Sequence, residues 1–262
     1  MKVNEQSGVE QKQPLVSVIM PAYNAEEYIS EAVQSVMAQT YTNWELLILD
    51  DCSTDGTADK ARCFSDLDPR ITLYSNPKNI GVALTRNKGM ALAKGSWVAL
   101  LDSDDIWHKD KLEKQLAAAE NTGADIIYCS YSLMDKNGEH LSDFIVPERT
   151  SYDDMLRKSV LSCSTVLLRS SILSAHCFFT NYYHEDYVFW LELLKSGYTA
   201  VASPGILADY RIVDGSRSND KLKSARNRWL IYREIEKLSL GKSVRVFAAY
   251  AFNGFIKHKR LE

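Results

Sequence analysis

The chain has 262 residues, 45% of them hydrophobic, with a formal net charge of -3 and five cysteines. That is enough apolar material for one large domain or two lobes on a shared core, and the charge excludes a general nucleic-acid binder, which needs a whole basic face. The cysteines, at 52, 63, 129, 163 and 177, form no CxxC pair and an odd total, so zinc and a disulfide framework are set aside and reduced thiols in a cytoplasm are expected.

Residues 1–13 form a polar tail without the apolar core of a secretory signal, and no apolar run approaches the roughly 18 residues of a membrane span. LVSVIM, residues 15–20, is a buried-strand run followed by Pro21 and a helical pattern over 25–38. WELLILD, residues 44–50, repeats the design and ends in acids; Ser53 or Asp55 caps a helix running through Phe64. RITLYSN predicts a third strand, residues 80–95 a third helix closed by Gly95, and WVALL a fourth strand running into Asp102. Strands alternating with helices predict an α/β, Rossmann-like, mostly parallel sheet whose ligands bind at the strands' carboxyl ends. Pro21, Tyr23, Asp51 and Asp102 all fall on that rim.

Beyond the acids, the pattern predicts a helix over 110–119, a strand ADIIYCSYSL, a hairpin at Lys136–Asn137–Gly138, a short helix in SYDDMLRK and a strand in STVLLRSS. A buried helical stripe spans Glu185 to Lys195 and ends at Gly197, and residues 198–211 give one or two more strands. No linker separates the halves, so they are expected to be lobes of one domain. From Asp220 onward the chain reads as helix, basic and aromatic together. For 220–238 the aromatics are expected against the core; for 243–262 the composition favours an anionic membrane surface.

The densest charge lies in LDSDD, where Asp102, Asp104 and Asp105 crowd three carboxylates into four residues. Such a cluster is either a polar turn, with Asp104 or Asp105 capping a helix that starts near Trp107, or the seat of a hard cation or sugar hydroxyl. His184 and His176 have no His or Cys partner at helical spacing, so structural or acceptor-side roles are expected of them.

PAYNAEEYI, WELLILDDCSTDGT, NIGVALTRNKG, ALLDSDDIW, HEDYVFWLELLKSGY and YRIVDGSRSN occur in the order and spacing of family-2 glycosyltransferases, and residues 14–220 resemble that family throughout. The resemblance implies the GT-A fold, with a nucleotide-sugar half over 14–105, an acceptor half over 106–220 and a basic, aromatic helical segment over 221–262. It implies that Pro21, Tyr23 and Asp51 line the nucleotide pocket, with Asp51 accepting from the N3–H of uracil, and that Arg86 and Ser103 lie near the donor. Asp102 and Asp104 match the family's DxD element, with Asp104 on a divalent metal, Mn²⁺ or Mg²⁺, and Asp102 beside it and the sugar. Asp186 matches the catalytic base. Where relatives often carry His in the last motif, this chain has Val213, leaving Arg211, Ser216 and Ser218 as candidates for an anionic group.

The reading is an inverting, metal-dependent transfer of a hexose from a UDP-sugar to a lipid-linked or growing surface glycan of the O-antigen, capsule or teichuronic type. The enzyme is expected in the cytoplasm, peripheral at the inner face of a bacterial membrane. Two rivals stand beside it. A sugar-nucleotide nucleotidyltransferase would need a Gly-rich basic loop where PAYNAEEY stands, and a silent nucleotide-sugar-binding module would not need Asp51, Asp102, Asp104 and Asp186 together.

Overall fold

The computed structural model describes residues 13–179, 184–213 and 221–258, the last range without the side chains of 221–222 and 254–258. The first half alternates strands and helices: β1 (Val16–Ala22), α1 (Ile29–Met37), β2 (Trp44–Asp50), α2 (Thr57–Leu67), β3 (Ile71–Ser75), α3 (Val82–Leu92) and β4 (Trp97–Leu100). There follow β5 (Ile106–Trp107), α4 (Lys111–Thr122), β6 (Ile126–Met134), β7 (His140–Phe144), β8 (Arg149–Thr150), α5 (Tyr152–Arg157) and β9 (Leu167–Arg169). The chain then forms α6 (Glu185–Lys195), β10 (Ala200–Arg211), α7 (Lys221–Leu230) and α8 (Leu240–His258).

One sheet in the order β3-β2-β1-β4-β9-β6-β10-β5 runs through the molecule, with β7 on β6 and β8 on β10. Strands β3, β2, β1 and β4 are parallel, as are β6 and β10; β9 enters antiparallel between β4 and β6. The two-residue period of each strand divides the core. Ile19, Leu47, Leu49, Val98 and Leu100 face α3, α5 and α6, whereas Val18, Met20, Leu46, Ile48 and Ala99 face α1, α2 and α4. Gly89 lets α3 lie close on β1, since a Cβ there would meet Ile19 Cγ2 at 2.5 Å.

Several sequence expectations need correction. The helix expected over 110–119 forms at Lys111–Thr122, but it does not reach back to Trp107, as a capping role for the acids of LDSDD would need, because Ile106 and Trp107 pair antiparallel with β10. Gly95 does not close α3, which ends at Leu92; it is the site where backbone meets backbone, with Leu15 O 2.5 Å from where a Cβ would be. The strand expected in STVLLRSS shrinks to three residues behind a 3-10 turn at Cys163–Thr165. The hairpin at residues 136–138 forms as expected, with Gly138 at φ +87°.

The C-terminal segment packs on the body of the protein. Tyr232 and Val246 are buried, and Trp229 meets Phe247 edge-on at 5.5 Å. Arg228, one of the basic residues of this segment, is itself buried, its guanidinium 3.3 Å from the centre of the Tyr187 ring. No described helix is long and apolar enough to cross a membrane.

Candidate functional site

The strand order reverses between β2 and β4 on either side of β1, and an open parallel sheet leaves a crevice at the carboxyl ends of such strands. A cavity of about 820 Å³ occupies it. Pro21, Tyr23, Asp51, Arg86, Asp102, Ser103, Asp104 and Asp186 all line it, although the sequence spreads them over 166 positions.

On one wall stands Asp51, 3% exposed, directly after β2. Its Oδ1 accepts from Asn76 Nδ2 at 2.8 Å and from the Ile80 amide at 2.9 Å, and its Oδ2 accepts from the Gly81 amide at 2.8 Å. A carboxylate has about four lone-pair positions, so one remains, on Oδ2. Tyr23, half exposed, and Pro21 at the end of β1 complete this wall.

The acidic loop after β4 forms the floor. Ser164 pins it: the Asp102 amide donates to Ser164 Oγ at 3.1 Å, and Ser164 Oγ donates to Asp105 Oδ2 at 2.5 Å. Asp105 is therefore no helix cap. It is buried and also accepts from the Arg211 amide at 2.9 Å, and burial, then Asp104 and Asp102, push its carboxyl well above the usual range. Asp104 faces the cavity, raised to about 6 by burial and by the Asp102 charge.

Arg86 joins the floor to the opposite wall. It is 4% exposed and donates to Asp102 Oδ1 at 2.6 Å and to Glu185 Oε1 at 3.1 Å, so it is a buried bridge and not a surface ion pair. Burial alone would lower its pKa, but Asp102, Cys163 and Glu185 hold it well above the ordinary value, so the guanidinium stays charged. Glu185, the first residue of α6, is thus tied to the acidic loop by its charge. That link brings Asp186, the next residue, to the cavity. Burial, then the Glu185 charge, raise the Asp186 carboxyl against the opposing effect of the amide dipoles at the start of α6.

Arg211, a candidate for an anionic group, is engaged inside the protein. Nε donates to Asp104 O at 2.9 Å, Nη1 to Lys136 O at 3.1 Å and Nη2 to Glu31 Oε2 at 2.6 Å, with Tyr28 against the guanidinium face. It braces the loop and does not face a ligand. Ser216 and Ser218 lie outside the described residues; Val213 lines the cavity. His176 pairs with Glu192 at 2.8 Å, and His184 lines the cavity at the start of α6.

Among the described residues no group of three His, Cys, Asp or Glu side chains could hold a metal ion. The donor set still fits a hard cation that keeps waters and takes phosphate oxygens, since such ions need only one or two protein carboxylates. Asp104, destabilised as an anion by burial and by Asp102, is the first candidate for that ligand, and Asp102 adjoins it.

Sequence reasoning missed Glu185 as the partner of Arg86. The signal was present, because a buried arginine needs more than one acceptor and the acid beside Asp186 is the nearest in the motif. It also missed Ser164, Asn76 and Cys163, a buried cavity-lining thiol whose pKa burial pushes far up.

Residues 17–163 match the sequence pattern described as "Glycosyl transferase family 2". The chain is 42% identical over 245 residues to the putative teichuronic acid biosynthesis glycosyltransferase TuaG of Bacillus subtilis, covering 93% of this chain and 97% of that one. It is 36% identical, over 93% of this chain and 95% of the other, to WfgD of Escherichia coli, a UDP-Glc:alpha-D-GlcNAc-diphosphoundecaprenol beta-1,3-glucosyltransferase. Among solved structures, S. aureus TarS 1-349 in complex with UDP-GlcNAc superposes with a TM-score of 0.70 at 20% identity, over 90% of this chain and 71% of that one. The mannosyltransferase PcManGT of Pyrobaculum calidifontis, in complex with GDP-Man and Mn²⁺, gives a TM-score of 0.71 at 18% identity, over 92% and 70%. The fold is GT-A.

Proposed function

The chain belongs to glycosyl transferase family 2, and from that premise we propose that it transfers a hexose from a UDP-sugar to a hydroxyl of a lipid-linked surface glycan, with inversion at the anomeric carbon. The observation that carries the reading is the convergence of Asp51, Asp104 and Asp186 on one cavity, each with a different electrostatic setting.

Asp51 uses its remaining Oδ2 lone pair to accept the N3–H of uracil, with Pro21 and Tyr23 against the base. Asp104 and Asp102 hold Mn²⁺ or Mg²⁺, which when bound supplies positive charge to the departing diphosphate. Arg86 holds Asp102 in place through its hydrogen bond, and Ser103 lies on the sugar side. Asp186 takes the proton of the acceptor hydroxyl as that oxygen forms its bond to the anomeric carbon. The bond from that carbon to the UDP oxygen breaks on the opposite face, and the electron pair leaves with UDP. A raised carboxyl is a stronger base, which suits this role.

The lipid-linked acceptor gives α8 a second task. Val246 and Phe247 face the core, while Leu240, Val244 and Phe252 are exposed on the outer side, beside Arg245. In this reading that outer face meets the anionic membrane carrying the acceptor.

The test is transfer from a panel of UDP-sugars to a diphospholipid-linked acceptor analogue, with Mn²⁺ or EDTA. Metal-dependent transfer from one UDP-sugar is expected. Absence of UDP binding would leave the cavity to a non-nucleotide ligand and overturn the reading.

A further inference from the structure

Of the three N–H groups that hold Asp51, one belongs to a side chain whose orientation is set from a different element. Asn76, the residue after β3, donates Nδ2–H to Asp51 Oδ1 at 2.8 Å while its own Oδ1 accepts from the Lys88 ammonium of α3 at 2.7 Å. An ammonium has only donors and a carboxylate only acceptors, so one amide orientation satisfies both neighbours; the flipped amide sets donor against donor and acceptor against acceptor. The Ile80 and Gly81 amides add two further donors from a fixed backbone. Every group touching the Asp51 carboxylate therefore donates. Lys88 is not among the described residues that line the cavity, so it acts on a bound base only through this chain.

We infer that Lys88, acting through Asn76, is the positioning residue that keeps Asp51 a pure hydrogen-bond acceptor and thereby makes the donor site select uracil over cytosine. Uracil presents N3–H to such an acceptor, and cytosine presents a bare N3. The inference rests on the nucleotide reading above and names the source of its selectivity. When Lys88 is replaced by an uncharged side chain, the Asn76 amide is released to turn Oδ1 toward Asp51. Acceptor then faces acceptor at Asp51 Oδ1, the carboxylate is pushed off its hydrogen bonds and its free Oδ2 lone pair moves away from N3–H, which weakens uracil and leaves cytosine, which makes no such bond, unaffected.

Calorimetric titration of UDP and CDP, each with Mn²⁺, into the full chain tests this in the wild type, Lys88→Met, Lys88→Arg and Asn76→Asp. The wild type is expected to prefer UDP, and Lys88→Met to narrow that preference about tenfold, the scale of one charge-assisted hydrogen bond. Lys88→Arg restores it. Asn76→Asp removes the Nδ2–H donor and sets an acceptor against Asp51 Oδ1, which displaces the carboxylate and narrows the ratio as well. In transfer assays the Lys88→Met effect falls on donor KM more than on kcat. A purely structural role weakens both nucleotides alike, so an unchanged UDP-to-CDP ratio in Lys88→Met and Asn76→Asp overturns the inference. Equal affinity of the wild type for the two nucleotides overturns the Asp51 reading itself, and is seen without any variant.

Discussion

Asp51 and Asp104 line the same cavity, and the fold treats their carboxylates in opposite ways. Asp51 is surrounded by three N–H donors from Asn76, Ile80 and Gly81 and keeps a single lone pair for a ligand. Asp104 is crowded by Asp102 and desolvated, and its carboxyl rises to about 6. One wall is pre-organised as a shape-fixed acceptor, the group that in the proposed function meets a base; the floor is left short of positive charge, with Arg86 as its buried counter-ion. The difference teaches that a protein reads a neutral ligand by satisfying its own groups and attracts a cation by leaving them unsatisfied.

The comparison breaks most sharply at the third carboxylate. Asp186→Asn removes the proposed proton acceptor without touching either wall, and transfer is expected to fall about 10²–10⁴-fold while UDP affinity is kept. Arg86→Met is next. It leaves Asp102 and Glu185 without their shared partner, and denaturant unfolding should show a loss of about 3–5 kcal/mol, the cost of stranding one side of a buried ion pair. Asp51→Ala should weaken UDP about 10–100-fold in calorimetric titration, leaving Mn²⁺ binding to the floor intact.

Acidity probes the floor directly. The Asp104 proton competes with a cation, so Mn²⁺ affinity measured by water-proton relaxation should be full above about 6 and fall about tenfold per unit below it. The sign follows from the raised value: the folded, metal-free state binds this proton more tightly than the unfolded chain, so protonation is favoured on acidification and the metal is displaced. The smallest effect belongs to α8. Val244→Ser with Phe252→Ser alters only exposed positions, so stability should change by no more than about 0.5 kcal/mol, while flotation with anionic liposomes should decrease.

The first half of the fold was legible because β1, β2 and β4 are buried on both faces and appear as unbroken apolar runs that end in acids. The sheet's later part was not. β5 is two residues long and β9 three, and each owes its existence to pairing with strands far away in sequence. The candidate site was legible as a set of positions because its carboxylates follow strand ends. Their partners were hidden: Arg211 reaches Glu31 across 180 residues, and Asp105 looks like a helix cap until Ser164 and Arg211 bury it. Asp105 and Asp104 are adjacent acids, and only the direction of the β4–β5 turn decides which one faces the cavity and which the core.

The most direct test of the account sets the base apart from the rest of the cavity. UDP affinity and single-turnover transfer, measured side by side on wild type and Asp186→Asn with the same UDP-sugar, Mn²⁺ and diphospholipid-linked acceptor, give that separation. The account predicts equal UDP affinity in both proteins and transfer reduced at least about 100-fold in the variant, with product of inverted anomeric configuration from the wild type. Wild-type rates in Asp186→Asn, or a product that retains configuration, would contradict it.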